Sequence, residues 1–139
     1  MEILVEAIEN LIDEQKVSFI SSVDEQGYPN TKAMIAPAKR EGIKTMYWHT
    51  NRPSMRVKQY LKNPKACVYF SNNQSFRGVM LKGTMEVIDD IALKKEIWKD
   101  SFSMYYYGGT NGDDFIILKF TAETGRYYSN FKSEDFVIE

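Results

Sequence analysis

The segments VSFISSV (17–23) and NTKAMIA (30–36) are rich in β-branched and aromatic residues, and only DEQGYP (24–29) joins them. A few residues further on, KREG (39–42) turns the chain again into IKTMYWHT (43–50). A crossover between parallel strands needs about a dozen residues or more, usually a helix. Neither connection has that length, so these three strands must run antiparallel. This constraint excludes the doubly wound and barrel folds built from alternating parallel strands and helices.

The same alternation continues. ACVYFS (66–71) reads as a fourth strand and NNQS (72–75) as a turn. FRGVMLKGTMEVI (76–88) reads as a long fifth strand with Val79, Leu81, Met85 and Val87 on one face. Gly78 and Gly83 within it mark bulges or close backbone approach. FIILKF (115–120) is a sixth strand, and RYYSNF (126–131) adds a short one. Helical spacing appears in three places. Ile3, Leu4, Ala7, Ile8, Leu11 and Ile12 make an amphipathic helix over 3–12 with an acidic outer face. Residues 54–62 form a short helix with Val57, Tyr60 and Leu61 on one face, ended by Asn63-Pro64. Asp89 or Asp90 caps a third helix over roughly 91–101. The expectation is one domain, 1–139, mainly β with flanking helices: a six-stranded antiparallel split or closed β-barrel. The pattern by itself leaves an α+β sandwich open.

Charge and cysteine content narrow the function. The formal charge is −1, so no basic field draws in nucleic acid. Cys67 is the one cysteine, which rules out a disulfide within the chain and suits a cytoplasmic setting. The start, MEILVEAIEN, lacks the basic and apolar blocks of a signal peptide, and no apolar run reaches membrane-spanning length. His49 is the one histidine, so a histidine metal cluster is not available and a nucleophilic triad would have to use it.

The stretch HTNRPSMRVK (49–58) carries the strongest chemical signal. An apolar strand stops at Thr50-Asn51, and Ser54 falls where a helix N-cap belongs. A helix start leaves backbone N–H groups without partners and carries partial positive charge. An anion placed there would collect those groups, the Ser54 hydroxyl and Arg56 together, with Thr50 and Asn51 as further donors. Lys32, on the neighbouring second strand, can reach the same place. The same residues also suit an ordinary N-cap and a solvated helix face.

Segments covering nearly the whole chain resemble one family in order and spacing. They are SFISSVDEQGYPNTKAM, MYWHTNRPSMRVKQYLKNPKACVYF, FRGVMLKGTMEVIDD, the acidic and aromatic helix through Trp98, and the closing strand. The resemblance is to the pyridoxamine 5′-phosphate oxidase-like superfamily of FMN-binding split barrels, and within it to the general stress protein 26-like branch. It implies a six-stranded split barrel of Greek-key type and a homodimer with flavin at the interface. It also implies that Arg56 and Ser54 bind the FMN phosphate and that His49 and Thr50 contact the flavin and its phosphate end. Lys32 and Met34 would then pass the ribityl chain and ring. The sequence departs from the family at several places. Lys32 stands where many members have Arg, and Arg56 where Lys is usual. Gly78 replaces a flavin-contacting Gln, and Tyr127-Tyr128 replaces a Trp.

The function implied is a flavin-dependent oxidoreductase acting on a small-molecule substrate or electron donor such as NADH or NADPH. The alternatives are a non-enzymatic flavin carrier or stress sensor, and a barrel that takes haem or a deazaflavin. The family's true oxidases hold their substrate phosphate with a C-terminal Arg-Leu-His-like stretch. The tail here, RYYSNFKSEDFVIE, has one Arg, no His and an acidic end, so oxidation of pyridoxamine 5′-phosphate is not expected.

Overall fold

A computed structural model describes all 139 residues. Helix α1 (Glu2–Glu14) precedes the hairpin β1 (Val17–Val23) and β2 (Pro29–Ile35). A second hairpin, β3 (Lys39–Glu41) and β4 (Thr45–Asn51), leads into α2 (Met55–Lys62). Strands β5 (Lys65–Asn72) and β6 (Arg77–Ile88) follow, then α3 (Ile91–Ile97), two 3-10 turns, and β7 (Phe115–Ser129) with β8 (Lys132–Val137). Every strand pair is antiparallel, as the short connections require. The order across the sheet is β2-β1-β5-β6-β7-β4-β3, with β8 also paired to β7.

The sheet therefore has eight strands, not six, and it is open. KREG is not merely a turn: Lys39, Arg40 and Glu41 pair with Tyr47, Met46 and Thr45. The charged Arg40 is held there by α1, whose Glu9 and Asp13 accept its guanidinium hydrogen bonds at 2.8–3.3 Å. RYYSNF is not a separate strand. Its first four residues end β7, Asn130 and Phe131 turn with positive φ, and β8 follows. The third helix stops at Ile97.

A bulge lets β7 serve three neighbours. Lys82 pairs with Thr124 but Gly83 with Ala122, which leaves Glu123 as an extra residue. Before the bulge β7 also pairs with β4, and after it with β8. Gly83 is required there, because a Cβ would sit 1.9 Å from the Thr121 carbonyl oxygen.

The main core lies between α1, α2 and the inner face of the sheet, around Trp48, Phe70, Leu81 and Phe120. The expected face of β6 is confirmed for Val79, Leu81 and Met85, all buried. Helix α1 buries Ile8, Leu11 and Ile12 but leaves Ile3 exposed, and α2 buries Val57 and Tyr60 but not Leu61. A second, smaller core packs Ile97, Phe102 and Tyr106 on the other face of β4 and β7, against Tyr47, Phe115 and Ile117.

The two ends of the sheet approach each other without pairing. The outer edge of β2 has no strand partner, and β4 pairs with β3 only as far as Tyr47. Trp48 spans the gap: its indole N–H is shared between the Ser18 hydroxyl at 3.0 Å and the Ile35 carbonyl at 3.2 Å. Beyond Trp48 the edge of β4 stays open, and α2, which follows it, packs on β1 and β6. Its far half is fixed to β1, where the Tyr60 hydroxyl donates to the Ser21 carbonyl at 3.0 Å and Ser22 donates to Gln59.

Candidate functional site

The first turn of α2 forms where it does for local reasons. Asn51 ends β4, and the Ser54 N–H donates to its carbonyl at 3.0 Å, closing a tight turn through Arg52-Pro53. Ser54 is extended at φ −63°, ψ 149° and is the N-cap, accepting a long 3.4 Å hydrogen bond from the Val57 N–H. No acidic residue lies in this first turn, so nothing within the helix answers the positive end of its dipole.

Arg56 is the chemical centre of the site. Arg40, Arg52, Arg77 and Arg126 each pair with a carboxylate; Arg56 alone among the arginines has none within 4.0 Å. Its Nε is buried and has no hydrogen-bond partner. Burial pushes the guanidinium pKa down from its ordinary value, the direction expected for a cation short of solvent and of a counter-ion. A buried N–H donor left unpaired costs about 1–3 kcal/mol, more when the group is charged. The first turn of α2 thus carries an unpaired cation, a capping hydroxyl and backbone N–H groups, with no carboxylate among its residues. The arrangement is suited to an anion with several acceptor oxygens, such as a phosphate monoester.

Strand alternation separates His49 from Thr50, two of the three β4 residues expected at this site. Met46, Trp48 and Thr50 face the main core, and Thr50 is buried at the edge that leads into α2. Tyr47 and His49 face the opposite side. The imidazole packs against Phe102 and Phe115, with centroids at 4.2 and 5.6 Å, and its Nδ1 lies 2.6 Å from the Tyr106 hydroxyl. Burial, with Lys99 adding repulsion, lowers the His49 pKa to about 4, so the ring is neutral at pH 7. Burial also raises the Tyr106 phenol to about 12. The His49 side chain is therefore in the second core, away from Ser54 and Arg56.

Lys32 and Met34 share the inner face of β2, opposite Ile20 and Ser18, at the unpaired edge that borders the split. Met34 packs partly onto the core, and Lys32 is exposed with no carboxylate partner. Asn51 is brought to the site but is engaged: its amide donates to the Asp114 carboxylate at 2.9 Å. Thr50, Ser54 and Arg56 thus lie on the run from the end of β4 into the first turn of α2, Lys32 and Met34 lie on the edge strand β2, and the His49 ring and the Asn51 amide are engaged elsewhere.

One group was missed from the sequence. Arg52 pairs with Asp89 and donates to the Asp113 carbonyl, behind the turn that leads to Ser54. The signal was present in the charge pattern, since Asp89 follows β6 as Arg52 follows β4, and both strands flank β7.

A cavity of about 440 Å³ lies along the outer side of α2, between Lys58, Lys62 and the β1–β2 turn at Asp24 and Glu25. It does not include Ser54 or Arg56. No cluster of metal-ligating side chains is present. No helix is long and apolar enough to cross a membrane.

The model of the family described as pyridoxamine 5′-phosphate oxidase like matches residues 4–138. Among solved structures, the chain is similar to a Clostridium acetobutylicum protein related to general stress protein 26 of B. subtilis, of the pyridoxinephosphate oxidase family. Identity is 37%, TM-score 0.88, and the likeness covers 99% of this chain and 96% of that one. A pyridoxamine 5′-phosphate oxidase-related, FMN-binding protein from Nostoc punctiforme shares the fold at 11% identity and TM-score 0.72, covering 96% of each chain. A heme binding protein from Mycobacterium smegmatis shares it at 14% identity and TM-score 0.76, covering 96% of this chain and 57% of that one. None of the curated proteins matches the chain. The chain belongs to the pyridoxamine 5′-phosphate oxidase-like family.

Proposed function

We propose that this family member is an FMN-binding flavoprotein that holds the cofactor's phosphate at the start of α2 and acts as a flavin-dependent oxidoreductase. The observation that carries the reading is Arg56, a half-buried guanidinium with an unpaired Nε in the first turn of the helix that Ser54 caps. The residues fit the group: a phosphate monoester supplies the acceptor oxygens that Arg56 and Ser54 lack. Bound FMN would supply two-electron chemistry through its ring. The chain's own part is binding and orientation. Arg56, Ser54 and the first-turn N–H groups hold the phosphate, Thr50 lies next to them at the end of β4, and Met34 and Lys32 line the split.

Haem is the weaker reading. Its usual protein ligand would be His49, the one histidine; its Nε2 has no partner, but the ring is packed against Phe102 and Phe115 in the second core, which leaves little room for a macrocycle. The visible spectrum of the purified protein tests the choice. Flavin bands that appear with FMN support the reading, and a Soret band with no flavin uptake overturns it. Rapid reduction of the loaded protein by NADH or NADPH separates an enzyme from a carrier.

A homodimer is part of this reading, and the outer sheet face supports it. Val17, Phe19, Ile35 and Tyr69 form neighbouring cross-strand positions on β1, β2 and β5, and each is 37–57% exposed. An apolar patch of this kind, beside a split that one chain walls on one side only, suits a two-fold contact that completes the flavin site. Light scattering of the FMN-loaded protein at micromolar concentration is expected to give twice the chain mass; a monomer contradicts it.

Pyridoxamine 5′-phosphate is not an expected substrate. Arg126, the one arginine of the tail, is taken bidentately by Asp135 at 2.8 and 3.0 Å, and Glu134 adds further negative charge on β8. The tail's one other cation, Lys132, is exposed at the β7–β8 turn, so a second phosphate finds only a single solvated ammonium there. Anaerobic mixing of the flavin-loaded protein with pyridoxamine 5′-phosphate should leave the flavin absorbance intact; bleaching at a turnover-like rate would reverse the assignment.

A further inference from the structure

Two arginines flank Ser54, and their surroundings are opposite. Arg56 has no carboxylate. Arg52 is held at several points: its Nη2 pairs with Asp89 Oδ2, its Nε donates to the Asp113 carbonyl, and its backbone N–H donates to the Asp114 carbonyl at 2.8 Å. The second oxygen of Asp89 pairs with Lys94 of α3, whose side chain is 4% exposed. The Asp89 carboxyl is held below its usual range by Lys94 first and Arg52 second. Asn51 is tied to the same wall through its amide and Asp114.

Three of the four residues from the end of β4 to the N-cap are thus anchored. Asn51 is held by Asp114 and Arg52 by Asp89, Asp113 and Asp114; Ser54 is then held by the Asn51 carbonyl at 3.0 Å. The Arg52 charge is answered by Asp89, so an anion arriving at Ser54 gains less from Arg52 than from Arg56, which has no carboxylate partner. A helix start binds an anion well only when its hydroxyl and N–H groups are in place beforehand; otherwise the cost of ordering them is subtracted from the affinity.

We propose that Arg52 is a positioning residue: locked by Asp89 and the buried Lys94, it fixes the Asn51–Ser54 turn so that Ser54 and Arg56 present a ready-made phosphate site. The proposal rests on the reading of Ser54 and Arg56 as the phosphate end. It also makes α3 a structural support of that site, since Lys94 is on α3 and Asp90, next to Asp89, caps it.

The test compares FMN and riboflavin affinities of the full-length apoprotein and of Arg52→Gln, Arg52→Lys and Arg56→Ala, with thermal unfolding of each. Arg52→Gln should lower FMN affinity about tenfold, the size of one lost pre-ordering contribution, and change riboflavin affinity less than about twofold. Arg52→Lys keeps a cation for Asp89 but loses the planar contact to Asp113, so a smaller loss for FMN, about threefold, is expected. Unchanged FMN affinity in both Arg52 variants overturns the proposal, and so does an equal loss for FMN and riboflavin, which is general loosening. Should Arg52→Gln not fold, Arg52→Lys decides by the same criteria. If Arg56→Ala lowers FMN affinity and the Arg52 variants do not, the positioning role alone fails. If Arg56→Ala keeps the full FMN preference, the phosphate site itself fails and the positioning role with it.

Discussion

Arg56→Ala is expected to weaken FMN binding by about 1.5–3 kcal/mol, roughly ten- to 150-fold, with little change in thermal stability. The size follows from loss of charge-assisted hydrogen bonds to a phosphate. The stability forecast has a separate basis. Arg56 makes no ion pair, and its Nε has no hydrogen-bond partner, so truncation removes only the packing of its half-buried stem from the free protein. Removing a partly buried, unanswered cation relieves a cost, and a small gain in the unfolding midpoint of the apoprotein is the expected direction. Fluorescence titration and thermal unfolding of the apoprotein read the two effects independently. A binding constant equal to that of the parent protein would count against Arg56 as the phosphate ligand.

Trp48→Ala should cost about 3–5 kcal/mol of folding stability, measured by chemical denaturation. Trp48 is 1% exposed and is the largest fully buried side chain in the main core. Total stability of a domain is about 5–15 kcal/mol, so this one change removes a large share of it. Trp48→Phe separates packing from hydrogen bonding. It keeps much of the volume and loses only the indole N–H. The Ile35 carbonyl retains its 2.8 Å hydrogen bond from the Ser18 hydroxyl, so no acceptor is orphaned. The expected cost is therefore about 1–2 kcal/mol. A loss from Trp48→Ala below about 1 kcal/mol would mean that the residue does not join the two edges of the split.

Much of this could be read from the residues. The short turns dictated antiparallel pairing, and the Ser54 cap, the Arg56 position and the Pro64 stop placed α2 within a residue. The missed strands have physical reasons. Strand β3 is Lys-Arg-Glu, a composition typical of turns, and it is held as a strand by Arg40 bonding across to Glu9 and Asp13 of α1. In β8 only Phe136 is buried, so an alternating pattern has one apolar beat to show. That ring packs over Gly125 of β7, where a Cβ would lie 2.3 Å away. Gly125 is also why β7 looked as if it ended near Phe120.

At the site, alternation alone would have sent His49 and Thr50 to opposite faces. The family likeness grouped them, and the structure gives the His49 imidazole to Tyr106 and Phe102 instead. The commitment of Arg52 to Asp89 was harder to foresee, because the partners are 37 residues apart in sequence and meet through β6 and β7. Gly78 shows a related limit. A Cβ there would meet the Tyr69 hydroxyl at 2.2 Å, so close packing accounts for the glycine whatever its relatives carry at that place.

The most direct test of the account is a paired titration of the unmodified apoprotein with FMN and with riboflavin under the same salt conditions. The two ligands differ only by the phosphate, so the ratio of affinities isolates the contribution of Ser54, Arg56 and the start of α2. The account predicts a preference for FMN on the order of a hundredfold, from one guanidinium, one hydroxyl and the helix dipole acting together. Equal affinities for FMN and riboflavin would contradict it.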